Sequence, residues 1–132
     1  MKEGGYNQPE VLLNMGQSYS DEDDFVEAEE WLDMAIERAT SDHTRVLAHY
    51  NRGLARANRG AHERAIDDFR TCLQTAPSFS RACNSIAACY RAMGRRDEAK
   101  AWYRRCLALP PDPTDSMREQ SVAEAREALN GL

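Results

Sequence analysis

Two consecutive segments of this sequence repeat one another at a distance of 34 residues. Val46 to Phe79 reads VLAHYNRGLARANRGAHERAIDDFRTCLQTAPSF, and Ser80 to Pro113 reads SRACNSIAACYRAMGRRDEAKAWYRRCLALPPDP. Laid one over the other, Gly60 matches Gly94, Ala65 matches Ala99, Phe69 matches Tyr103, Cys72 matches Cys106 and Pro77 matches Pro111. One such match arises by chance; five in register do not. Each segment carries two amphipathic stretches at helical spacing, split by a glycine. A unit of this kind cannot bury its apolar faces alone, so neighbours must stack into an array.

A looser copy stands in front. Leu12-x2-Met15-Gly16-x2-Tyr19 opens it, and Ala28-x3-Leu32 with Ala35 follows, which sets a first unit from about Pro9 to Asp42. It departs twice from the later units. Asp23 stands where they have glycine, and the step from Gly16 to Gly53 is 37 residues instead of 34. Thr, Ser, Asp, His and Thr cluster between Ala39 and Thr44, so the extra residues are expected there, in a loop.

These landmarks resemble the tetratricopeptide repeat, whose pattern is W-x2-L-G-x2-Y, then A-x3-F, then P. Ala65-x3-Phe69 and Ala99-x3-Tyr103 meet its centre, Pro77 and Pro111 close the units, and Ala87-x2-Tyr90 keeps the opening small residue and aromatic. The second unit departs, with Gly53 followed by Arg56. The resemblance covers roughly residues 9 to 113. It implies an all-α fold, a right-handed α-solenoid of three helix-turn-helix repeats whose first helices form a concave wall.

The expected organisation is a flexible leader over residues 1–8, three repeats at about 9–42, 46–79 and 80–113, and a capping helix over 114–132. Pro9 suits the first turn of a helix, where its missing N–H costs nothing. Helices are expected to about Tyr19, then Phe25 to Ala39, Thr44 to Asn58, His62 to Thr75, Phe79 to Met93 and Arg96 to Leu109. Gly60 suits the left-handed conformation that ends a first helix. Small residues at Gly16, Gly53 and Ala87, opposite Ala28, Ala65 and Ala99, allow close helix approach. Past Pro113, Met117, Ser121 or Val122, Ala125 and Leu129 recur on one face, and Ser116-x-x-Glu119 matches a capping box. An array needs such an end helix to cover its last apolar face.

Composition bounds the function. In 132 residues, 42% apolar content suffices for a core and 30% charge for wetted faces. No apolar run is long enough to cross a bilayer, and the N-terminus lacks the hydrophobic stretch of a secretory signal, so a cytoplasmic setting with no membrane partner is expected. The four cysteines fall at packing positions without a CxxC pair, which predicts buried, reduced thiols and neither zinc nor disulfide. His43, His49 and His62 are read as surface residues. Asp21 to Asp24 is a loop run without a partnering base, and there is no glycine-rich phosphate loop, so neither enzyme, metal site nor cofactor is expected.

Charge is segregated. Residues 1–44 carry 12 acidic and 2 basic side chains, residues 45–113 carry 6 and 13, and the remainder 4 and 2. Such polarity either orients a charged partner or drives head-to-tail contact between copies, which makes a self-assembling scaffold and homo-oligomer the alternative function. Arginine exceeds lysine 15 to 2. The negative total and the lack of interleaved aromatics nevertheless argue against nucleic acid, leaving an RNA-binding repeat as the last alternative.

What the resemblance implies for function is a protein-interaction adaptor that takes a peptide or helix of a partner in its concave groove. By helical spacing, that groove is lined by Leu13, Asn14 and Gln17, by Tyr50, Asn51 and Leu54, and by Arg81, Asn84, Ala88 and Arg91. Arg118 and Val122 extend the row onto the cap. Asparagines serve a peptide backbone and arginines hold carboxylates, so the partner's acidic end is expected at Arg81 and Arg91. One subfamily clamps the carboxyl terminus of heat-shock chaperones. Of its positions, which fall here on Leu13, Gln17, Asn51, Arg81 and Ser85, only Asn51 agrees and Arg81 keeps the charge, so a chaperone tail is not the expected ligand.

Overall fold

Seven helices follow one another in the computed structural model, which describes residues 8–110 and 112–132. They are α1 (Pro9–Asp21), α2 (Phe25–Arg38), α3 (Asp42–Asn58), α4 (His62–Thr75), α5 (Ser80–Ala92), α6 (Arg96–Leu107) and α7 (Arg118–Asn130). Each packs on the next, and α1 also touches α3 as α5 touches α7. This is the stacking of an all-α tetratricopeptide-type solenoid. The expected leader, apart from Gln8 at the cap of α1, and the closing Pro111 lie outside the described residues.

The three hairpins turn by one device. The N–H of Asp24 donates to the Tyr19 carbonyl at 2.9 Å, that of Ala61 to Arg56 at 2.8 Å and that of Arg95 to Tyr90 at 2.9 Å. This closure needs one left-handed residue just past each first helix. Gly60 (φ 89°) and Gly94 (φ 76°) supply it without strain, and Asp23 takes the same conformation at φ 61°. Asp24 then caps α2, its carboxylate accepting from the Glu27 N–H at 3.3 Å.

The extra residues between the first and second units do not form the expected loop. Helix α3 starts at Asp42, four residues before the position matching the starts of α1 and α5, so the insertion becomes an added helical turn. Ser41 caps it by accepting from the Thr44 N–H at 3.2 Å, and Arg45 braces it against the Ala39 carbonyl at 3.0 Å. The capping box expected at Ser116 is also absent. Helix α7 starts at Arg118, and Asp115 instead accepts from the Met117 N–H at 3.1 Å.

Within a hairpin, a glycine on the first helix receives the aliphatic or aromatic wedge of the second. A Cβ added at Gly53 would stand 2.7 Å from Phe69 Cε1, and one at Gly16 would stand 2.5 Å from Leu32 Cγ. Both wedges are fully buried. The contacts that demand the glycines are therefore Leu32 and Phe69, with Ala28 and Ala65 buried alongside.

The apolar interior falls into two bodies. A smaller one gathers Leu12, Trp31, Ala35 and Ala48, and a larger one runs from Val46 and Phe69 through Ile86 and Trp102 to Ala125 on α7. The seam between the first and second units, apolar where Ala48 meets the smaller body, also carries an ionic network. Arg52 on α3 binds Asp33 on α2 at 2.7 Å, and Arg59 binds Glu29 at 2.8 Å. Beneath them the buried Asp68 of α4 accepts from Arg52 at 2.8 Å, from Arg56 at 2.7 Å and from His49 Nδ1 at 3.1 Å. An ionised carboxylate only accepts, so Nδ1 carries the proton. His49 is thus a half-buried partner of a carboxylate, which corrects its reading as a surface residue. Part of the charge segregation in the sequence, at Glu29 and Asp33, is met inside the molecule.

Burial alone would push the Asp68 carboxyl up, but hydrogen bonds from His49 and Arg52 and the charges of Arg52 and Arg56 outweigh it and hold the pKa below the ordinary value. The four cysteines are buried and free. Burial, with the Asp68 charge, pushes Cys72 up to about 12, and burial pushes Cys89 up to about 11, so both stay protonated thiols at neutral pH.

Three outcomes follow for stability. Gly53→Ala is expected to cost about 1–3 kcal/mol in urea unfolding despite the better helix propensity of alanine; a midpoint at or above the parent's rules out the wedge. Asp23→Gly is expected to gain up to about 1 kcal/mol by relieving left-handed backbone, seen as a raised Tm. Asp68→Asn is expected to cost about 3–5 kcal/mol at pH 7 by leaving buried guanidiniums without their countercharge. A carboxyl with a depressed folded pKa stabilises above its unfolded value of about 3.9 and loses that contribution as pH falls through the folded one. The gap between parent and Asp68→Asn should therefore close below about pH 4, and a gap that persists there overturns the assignment.

Candidate functional site

The first helices of the second and third units, α3 and α5, touch each other far less than α1 touches α3 or α5 touches α7. Tyr50 stands at the opening between them, its ring 5.7 Å from that of Phe69 and 5.1 Å from that of Phe79. The Arg81 guanidinium lies over both Tyr50 and Phe79, at 5.2 and 4.9 Å. The stack covers the face of the guanidinium and holds it in place, with its Nε buried.

Two adjoining hollows open along α5. The larger, about 310 Å³, has Tyr50 on the α3 side and Arg81, Asn84, Ser85, Ala88 and Arg91 of α5 along its length. Tyr103 of α6 also lines it, and Ser121, Glu124 and Ala128 of α7 form the remaining wall. The second, about 270 Å³, is lined by Leu54, Ala57 and Asn58 of α3, His62 and Phe69 of α4, and Ser85, Ala88 and Cys89 of α5. Ser85 and Ala88 border both, so on α5 the two spaces meet across small side chains.

The chemistry of the larger hollow is uneven. Burial raises the Tyr50 pKa against a hydrogen bond with Ser85 and the Arg81 charge, and raises that of Tyr103 against a hydrogen bond with Arg91. Both phenols stay neutral at physiological pH. Among the described residues neither Arg81 nor Arg91 takes part in an ion pair. The Asn84 Nδ2 donates to the Ser121 carbonyl at 2.8 Å, which fixes the amide and leaves Oδ1 as an acceptor. That Oδ1 and Arg81 Nε are buried without hydrogen-bond partners.

Of the residues expected in the groove, Tyr50, Arg81, Asn84, Ala88 and Arg91 come together in this hollow, and Leu54 lines its neighbour. Leu13 packs on the smaller core, while Asn14 and Gln17 are exposed on α1 and Asn51 is half-buried on α3; none of the four lines either hollow. Asn84 is only 8% exposed, because α7 covers it. Arg118 does not extend the row: its guanidinium donates to the Leu109 carbonyl at 2.6 Å and to that of Pro110 at 3.2 Å, tying α7 to the end of α6.

Helix α7 buries Ser121 and Ala125 and packs Leu129 of its expected apolar face, but the side it turns to the hollow is Ser121, Glu124 and Ala128, not Arg118 and Val122. Ser121, Glu124 and Ala128 follow the i, i+3, i+7 spacing of a single face, and that periodicity was the signal available. No group of three or more metal-ligating side chains occurs among the described residues, and no helix among them is long and apolar enough to cross a membrane.

Known structures share this architecture. The chain is similar to MamA, with a TM-score of 0.72 and 26% identity over 89% of this chain and 58% of that one, so it spans less than two thirds of its length. It is similar to YrrB, described as a TPR protein with an unusual peptide-binding site, with a TM-score of 0.73 and 17% identity over 91% of this chain and 59% of that one. It is also similar to the second TPR domain of human RPAP3, solved in complex with an HSP70 peptide, with a TM-score of 0.67 and 19% identity over 89% of this chain and 98% of that one. At sequence level, the profile described as RMD1-3, Regulator of microtubule dynamics protein 1-3, matches residues 54–132. That stretch runs from the C-terminal half of α3 to the end of the chain, more than half of it and most of both hollows, and by it the chain belongs to the family of regulators of microtubule dynamics proteins 1-3.

Proposed function

We propose that the chain is a non-catalytic interaction module that receives a peptide or helix of a partner protein along its first helices, with an acidic group of the partner directed at Arg81 and Arg91. The observation that carries this reading is the hollow over α5, where two arginines that form no ion pair among the described residues stand beside a buried acceptor that meets no donor among them. Carboxylates bind arginine in a planar two-point geometry, and the aromatic face under Arg81 holds its guanidinium in place for that. Tetratricopeptide proteins of the same architecture take peptides, as in the RPAP3 complex. The family's description as regulators of microtubule dynamics is compatible with a module whose task is to hold a partner.

The self-assembling scaffold draws on the same segregation of charge. Glu29 and Asp33, which such a contact would use, already bind arginines of α3, so the internal seam competes with it.

A peptide array of acidic and neutral 12-residue sequences, probed with parent and with Arg81→Ala/Arg91→Ala, tests the reading. Binding of acidic peptides should fall about tenfold or more in the variant, equivalent to about 1.4 kcal/mol. Equal binding by both proteins across the array removes the hollow from the function.

A further inference from the structure

We infer that the partner segment crosses α5 at the low ridge formed by Ser85 and Ala88, placing one large apolar side chain on the α3 side and one carboxylate on the α7 side. The inference rests on the concave-surface reading above and adds the chemical pattern that the surface selects.

Three features specify it. First, the ridge is low for want of side chain. Ser85 and Ala88 border both hollows, and Ala88 is exposed, so a backbone lying across α5 meets nothing larger than a methyl or hydroxyl group there. Second, the two sides differ in character. Leu54, Ala57, Phe69 and Cys89 make the α3 side apolar, and a space of about 270 Å³ accepts a leucine, methionine or phenylalanine side chain. His62 Nδ1, buried there without a partner, offers one polar contact at its edge. Third, the α7 side is positive but limited. Arg81 and Arg91 face Glu124 across the same hollow, so one incoming carboxylate is matched and a second meets a like charge. Asn84 Oδ1, fixed by the bond of its amide to Ser121, awaits an N–H such as the backbone of that segment supplies.

The geometry also sets a spacing. Crossing a helix about 10 Å wide takes an extended chain about three residues. The preferred segment therefore carries an apolar residue and a single Asp or Glu about three positions apart. It is not a dense acidic run.

Panning a phage-displayed library of random 12-residue peptides on the full chain tests this, followed by anisotropy titrations of the enriched peptides against Ala88→Trp, Arg91→Glu and Glu124→Gln. Circular dichroism melts of each variant check that it is folded. The expected result is a consensus with one acidic and one large apolar residue at constant spacing, at least tenfold weaker binding to Ala88→Trp and to Arg91→Glu, and admission of a second acidic residue by Glu124→Gln. Enriched peptides that are acidic but unconstrained at the apolar position, or that bind folded Ala88→Trp as well as the parent, overturn the crossing while leaving the arginine hollow standing. No enrichment, or binding indifferent to both Ala88→Trp and Arg91→Glu, overturns the concave-surface reading itself.

Discussion

A carboxylate taken out of water must find cations, and Asp68 finds three donors on the helix that precedes its own. Its side chain is almost wholly buried, and its partners, Arg52 and Arg56, reach onward to Asp33 and Glu29 of the first unit. One charge on α4 thereby holds α3 against α4 and orients the arginines that hold α2 against α3. Apolar packing supplies the bulk of the cohesion within each unit. The ion network supplies direction, because charge-assisted hydrogen bonds tolerate far less sliding than dispersion contacts do. The placement of α3, and with it of Tyr50 and Leu54 at the mouth of the hollows, follows from that constraint.

Features with a period were legible in the sequence. The register of Gly60 with Gly94 and Phe69 with Tyr103 placed α4 at the observed residues and the other helices of the repeats within a turn, and it aligned Asp23 with the two glycines. Features that join distant residues carried no period. Nothing local in the sequence ties Asp68 to His49 and Arg52, since the pairing depends on the angle between α3 and α4. The inserted residues misled for the opposite reason: Thr, Ser and Asp read as loop, yet the same residues are good helix starters, and Ser41 caps an added turn.

The candidate site divides along the same line. Its α5 row, Arg81, Asn84, Ala88 and Arg91, was legible because a single helix face repeats along one segment. The wall opposite was not, because α7 lies outside the 34-residue period and its rotation is set by contacts of its first turn. Arg118 fixes it to the carbonyls after α6, and Asn84 fixes it to α5 through Ser121. Once α7 is seated so, Asn84 ceases to be an exposed groove residue and becomes part of the hollow's frame. Leu13, Asn14 and Gln17 were expected in the groove by helical spacing, but α1 and α3 close on each other, and no comparable gap opens at the first unit.

The division of the interior into two apolar bodies has an optical side. The chain has two tryptophans, and each belongs to a different body: Trp31 stacks with Tyr19 in the smaller, and Trp102 lies in the larger with the Arg105 guanidinium 4.1 Å above its ring. The molecule thus carries one native indole chromophore on either side of its ionic seam, with a cation against one ring and a phenol against the other. Their emission offers a built-in means of following the two ends of the array separately, without any added label.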